Sequence, residues 1–103
     1  MSDLEPITPD DAAEMWLNQQ RTQRADSTIQ SYEYRLSPFL DWCETEGVDD
    51  LTELSSRDVF RYEAFRRGDG LAVPTLNNQI GTLKRFLSFC ERIEAIEEGL
   101  TQK

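Results

Sequence analysis

The chain has 103 residues, 38% apolar and 30% charged, with ten aromatic side chains; that is enough for one packed domain and too apolar for a disordered tail. Twenty acids against eleven bases leave a net charge of −9, and there is no histidine, which removes the commonest general base and metal ligand and excludes Ser-His-Asp and Cys-His triads within the chain. No apolar run approaches the ~18 residues of a membrane span, and the acidic opening MSDLEPITPDD reads as neither a secretory signal nor a transit peptide, so the expected location is the cytoplasm.

Gly and Pro divide the sequence into four helical segments. Thr8-Pro9-Asp10-Asp11 predicts a helix start, with Thr as N-cap, Pro in the first turn and acids against the dipole. Ala12, Ala13, Met15 and Trp16 follow at helical spacing, to an end near Gln20 or Arg21. The second start is Asp26-Ser27-Thr28, where Ser27 with Gln30 has the form of a capping box. Ile29, Tyr32, Leu36, Phe39, Leu40 and Cys43 then recur at three and four, an amphipathic period. Pro38 lies inside that helix, where an interior proline costs about 3 kcal/mol and favours a kink. Gly47 is placed to end it.

Leu51 and Leu54 are expected to plug the short connection that follows. Ser55-Ser56-Arg57-Asp58 opens the third helix with a box-like cap, Val59, Phe60, Tyr62 and Phe65 give it apolar surface, and Gly68-Asp69-Gly70 stops it. Val73-Pro74-Thr75 begins the fourth helix. Leu76, Ile80, Leu83, Leu87 and Cys90 line one of its faces, while Asn77, Asn78, Gly81, Lys84, Arg85 and Ser88 line the other; Gly99 is the expected stop. With no alternating strand pattern and no repeat, the fold class is all-α, a bundle of four or five helices forming a single domain over residues 1–103.

Cys43 and Cys90 stand 47 residues apart, which fits neither a zinc ribbon nor a CxxC site, and two core thiols are expected. No metal-ligand spacing and no cofactor motif is present. Charge is unevenly placed: residues 1–14 hold five acids and no base, 37–56 six acids and no base, whereas 57–92 hold seven bases and four acids. An acidic average repels nucleic acid, yet the basic sector invites it. Whether Arg24, Arg35, Lys84 and Arg85 share a face or pair with neighbouring acids is not fixed by spacing. Nine of the eleven bases are Arg, and a lysine-poor acidic domain suits a salt-rich cytoplasm.

Thr28, Tyr32, Leu36, Phe39 and Trp42 fall at successive intervals of four, four, three and three. Gly47, Leu54 and a capped helix containing Asp58 come next, followed by Thr75-Leu76 with Ile80, Leu83, Phe86 and Phe89. This ordered set, with the acidic lead-in of Trp16-Leu17 and Arg24 before it, resembles the SAM-like core-binding domain of tyrosine recombinases (phage integrases) over nearly the whole chain. Two positions depart from the pattern: Glu98-Gly99 stands where the family often has Asn-Pro, and Pro38 interrupts a helix.

The resemblance implies a helical half-clamp on duplex DNA, approached by the N-termini of the second and fourth helices. It also implies a separate catalytic domain bearing the Arg, Lys, His and Tyr constellation, which this chain lacks; on that basis the chain is not expected to be an enzyme. A helix N-terminus offers unpaired N–H groups and partial positive charge to a phosphate. Ser27, Thr28 and Ser31 at one start, and Thr75, Asn77 and Asn78 at the other, add short donors. Arg24, Arg35, Lys84 and Arg85 add charge, with Asn and Arg able to read base edges. Ser27 and Thr75 also read as plain caps, and Asn77, Asn78, Lys84 and Arg85 as a solvated face. The alternative to DNA binding is a protein–protein module, with other recombinase subunits as partners and Trp16 exposed on the acidic first helix.

Overall fold

The computed structural model describes residues 4–100. Within them the elements are α1 (Pro9–Arg21), α2 (Asp26–Glu46), a 3-10 turn (Leu51–Glu53), α3 (Ser56–Arg67) and α4 (Val73–Arg92). No strand occurs among the described residues, and the all-α bundle is the one expected.

Local chemistry sets most of the boundaries. The Thr8 hydroxyl accepts the Asp11 N–H at 3.1 Å and starts α1. Ser55 and Asp58 form a reciprocal capping box that starts α3, satisfying two otherwise orphaned donors. Gly47, at φ 75°, closes α2 in the left-handed conformation, which a residue without Cβ adopts at no steric cost. Pro38 sits within α2, and helix continues on both sides of it.

Three boundary expectations are corrected. Ser27 does not cap α2; the N-cap is Ala25, whose carbonyl accepts from Thr28 and Ile29, so Ser27 lies inside the first turn. Thr75 does not cap α4; that role falls to Ala72, whose carbonyl accepts from Leu76. Gly99 does not end α4, which stops at Arg92. There the Ala95 N–H turns back to the Cys90 carbonyl at 2.9 Å and Glu94 takes φ 61°, a reversal that folds Ala95, Ile96 and Leu100 over the core.

α2 and α4 lie against each other, α1 crosses both, and α3 packs on α4. Trp16, at the surface only in the protein–protein alternative, is 2% exposed, as its helical spacing with Ala12 and Ala13 suggested; its ring stacks on Tyr32 at 5.0 Å and tilts against Phe86 at 5.8 Å. Burying an indole against two rings stabilises far more than leaving it wet, and each such ring pair adds about 0.5–1.5 kcal/mol beyond area. Phe39 and Trp42 of α2 meet Tyr62 of α3 edge-on at 5.2 and 5.5 Å, which ties α3 to the rest. Leu51 and Leu54 are buried plugs, as their spacing suggested, and both cysteines are free, buried thiols. The lead-in strip before α1 is fastened at two points: Glu5 N–H to the Glu94 carbonyl and Leu51 N–H to the Ile7 carbonyl, each 2.9 Å.

Candidate nucleic-acid interface

α2 and α4 are packed so that their N-terminal turns flank one open groove of about 550 Å³. From α2 the groove takes Ser27, Gln30, Ser31, Tyr34 and Arg35, residues spaced so that they share one helix face. From α4 it takes Thr75, Asn78 and Gln79, again one face. Hydroxyls and amides dominate the lining. Among the described residues, Arg35 is its one charged side chain and no carboxylate lines it.

Neither flanking helix has a side-chain cap: Ala25 and Ala72 hold the N-cap positions, with no side-chain hydrogen bond at either. The contrast within the molecule is informative, because α1, the 3-10 turn and α3 are each capped by a side chain, from Thr8, Asp50 and Ser55. The N–H groups of Asp26 and Ser27 in α2, and of Val73 and Thr75 in α4, therefore keep their donor capacity for water or a ligand, whereas Thr28 donates to the Ala25 carbonyl and Pro74 has no N–H. Asp26 stands in the first turn of α2 but outside the groove lining. Ser31 turns its hydroxyl to the Ser27 carbonyl at 3.1 Å, leaving its oxygen lone pairs to the groove.

The sequence candidates divide by position. Ser27, Ser31, Arg35, Thr75 and Asn78 line the groove together. Thr28 is half-buried in the first turn of α2 and lies outside the lining, as does exposed Asn77. Arg24, in the α1–α2 connection, donates to Gln20 Oε1 at 3.4 Å. Arg85 lies farther along α4 and reaches the Tyr32 hydroxyl at 3.4 Å. Lys84 lines a separate, smaller cavity of about 130 Å³ between α3 and α4, together with Glu63 and Phe60.

Pairing sorts the basic sector too. Arg61 bridges Glu46 and Asp58, Arg66 binds Asp69 at 2.8 Å, and Arg67 approaches Glu63 at 4.0 Å. The α3 arginines are thus largely answered by the protein's own acids. Arg24, Arg35, Lys84 and Arg85 have no carboxylate partner among the described residues. Gln79 was missed by sequence reasoning. It occupies the apolar stripe of α4 between Leu76 and Leu83 and is 6% exposed; a polar residue at a core position of that stripe was the signal available. No group of three metal-ligating side chains occurs among the described residues, and no helix is long and apolar enough to cross a membrane.

The profile of the phage integrase N-terminal SAM-like domain matches residues 13–94. The chain belongs to that family. The family's signature spans α1 to α4 and so includes both sides of the groove. Among solved structures, the crystal structure of the N-terminal domain of a phage integrase/site-specific recombinase from Haloarcula marismortui is similar, with a TM-score of 0.91 and 34% identity, covering 95% of this chain and 94% of that one. No curated protein matches.

Proposed function

We propose that this integrase-family domain grips duplex DNA through the α2–α4 groove, as one half of a clamp whose strand-cutting half is a separate catalytic domain. The observation that carries the reading is the pair of uncapped helix N-termini, Ala25 and Ala72, at a groove whose lining holds hydroxyls, amides and Arg35 but no acid. Two sets of unspent N–H groups and two partial positive poles facing one channel suit the phosphate rails of a duplex. Ser27, Thr75 and Asn78 act as positioning donors, Ser31 joins them when its hydroxyl rotates from the Ser27 carbonyl to a phosphate oxygen, Arg35 supplies charge, and Arg85 and Arg24 extend the contact at its margins. The remaining candidates, Thr28 and Asn77, border the same turns. Lys84 is peripheral to this contact. The domain acts without cofactor, cuts nothing by itself, and works in the cytoplasm beside other recombinase subunits.

The similarity to a domain from a haloarchaeon, together with the −9 charge and the scarcity of lysine, supports a salt-rich habitat. In concentrated salt, counterion release contributes little, so hydrogen bonds and shape carry the binding and a net-acidic domain is compatible with a DNA partner.

The test is a gel shift with duplex DNA at several salt concentrations, run beside a light-scattering mass. The wild-type domain should retard DNA weakly and with little sequence preference, and the Ser31→Ala, Thr75→Ala double variant should bind several-fold less, since each lost hydrogen bond is worth about 1 kcal/mol. A protein that self-associates and leaves DNA unretarded at every salt would establish the protein–protein reading instead.

A further inference from the structure

Gln79 stands at the meeting point of the groove and α3. Its side chain is buried, yet it lines the open channel between α2 and α4. From α3, Arg66 reaches across with its Nε at 3.2 Å and its Nη2 at 2.9 Å, and both bonds end on one atom, Gln79 Oε1. A guanidinium has only donors, so the Gln79 atom it holds must be the oxygen. That oxygen has two lone pairs, and both are taken. The third guanidinium nitrogen of Arg66 is anchored to Asp69 at 2.8 Å, and the side chain is only 12% exposed, so the fork is fixed at both ends.

The other end of the amide follows from this. Nε2 has no protein acceptor among the described residues, but no buried side-chain nitrogen or oxygen is left unpaired. Nε2 therefore reaches solvent, and the groove is the open space that Gln79 lines. An unconstrained glutamine offers an acceptor and a donor side by side, the arrangement that reads adenine bidentately. Here the acceptor half is consumed.

We infer that Gln79 is a donor-only contact in the groove, its polarity set by Arg66, and that it presents its amide N–H groups to an acceptor oxygen of the duplex while being barred from adenine readout. The inference rests on the groove being the DNA face. Arg66 is then a positioning residue: it touches no nucleic acid and acts by fixing which end of Gln79 faces the channel. It also explains why an arginine of the basic sector is directed inward instead of to solvent.

The experiment follows the Gln79 side-chain amide by 15N NMR while a short duplex is added to the wild-type domain, and compares affinities with Gln79→Glu. Glutamate keeps an oxygen for Arg66 and deletes the donors. Both Nε2 protons should shift on titration, and Gln79→Glu should retain its fold while binding about tenfold more weakly, as for a lost hydrogen bond to a charged oxygen. Arg66→Met should free the amide to flip, broadening or doubling its resonances before any DNA is added. If the backbone amides of Ser31 and Thr75 respond to DNA while the Gln79 side-chain amide does not, the inference is overturned and the DNA reading stands. If neither responds and no complex forms, the DNA reading fails and takes the inference with it.

Discussion

Asp50 fastens the lead-in strip to the core. Its carboxylate accepts the Thr52 N–H at 3.0 Å and the Ile7 N–H at 3.4 Å, and these bonds, led by that from Thr52, hold its pKa below the ordinary 3.8. Burial acts oppositely on three groups in the core. It pushes the Cys43 and Cys90 thiols from 9.0 up to about 12, and the Tyr62 phenol from 10.0 up to about 12. The signs give a stability plateau with two edges. Asp50 contributes above its unfolded pKa near 3.8, and that contribution is lost as pH falls through its lower folded value. The thiols and the phenol cost nothing below pH 9, and stability falls from there as pH rises toward 12, because only the unfolded chain can ionise them. Melting temperature measured against pH should show both edges, the acid edge shrinking in Asp50→Asn. At pH 8 the thiols should label far more slowly than an exposed cysteine. Labelling at the rate of the unfolded chain would contradict the burial described.

Residue identities near a helix start were also where sequence reasoning misassigned roles. Ser27 and Thr75 are the residue types that cap helices, and they lie close to two starts, but the carbonyls of Ala25 and Ala72 begin those helices two or three residues earlier. Pro74 carried the correcting signal at α4: proline favours the first turn, which puts Thr75 inside the helix. Trp16 was legible from its spacing to Ala12 and Ala13, since residues three and four apart share a face. Gln79 was not legible in role, because its significance depends on Arg66 crossing from another helix, a contact 13 positions away in sequence.

At the scale of elements, the helices fall into two groups with different uses for their N-termini. α1 and α3 spend their first donors on their own side chains; α2 and α4 do not. Stability and binding should therefore separate by substitution. Ser55→Ala removes half of a capping box and should cost about 1 kcal/mol, read as a lower denaturation midpoint with duplex affinity unchanged. Ser27→Ala removes no cap and should leave the midpoint within about 0.5 kcal/mol of wild type while weakening DNA binding. The reverse pattern, with Ser27 governing stability, would return it to the role of a cap. The apolar period of α2 and α4 was enough to predict both helices and much of their buried face, because packing and periodicity agree there. The end of α4 was hidden, since Ile93 and Ile96 continue its apolar content beyond the point where the backbone turns at Glu94.

For the whole molecule, the charge distribution matters more than its total. Two acid-only stretches, residues 1–14 and 37–56, account for the negative balance, and no described residue of either lines the α2–α4 groove. Most arginines of α3 are paired at home, so the sector that reads as basic in sequence is partly neutralised in space. Segment counting revealed a basic sector; only the fold shows which of its charges are available. A surface this acidic repels itself, and salt should relieve the strain. The denaturation midpoint is accordingly expected to rise from low salt to molar KCl. The same series should show a shallow fall of DNA affinity with salt, a slope corresponding to about one to three phosphates. Equal stability at both extremes would count against the salt-adapted reading.

The most direct measurement for the groove is fluorescence anisotropy of a labelled duplex with two single variants, Arg35→Ala and Lys84→Ala. Both remove one cation, and both cations are free of carboxylate partners among the described residues, but only Arg35 lines the channel between the two uncapped helix starts. Arg35→Ala is predicted to weaken binding about tenfold, with Lys84→Ala close to wild type. Equal losses for both, or a larger loss for Lys84→Ala, would mean that the duplex meets general positive charge or the α3–α4 side instead of the groove.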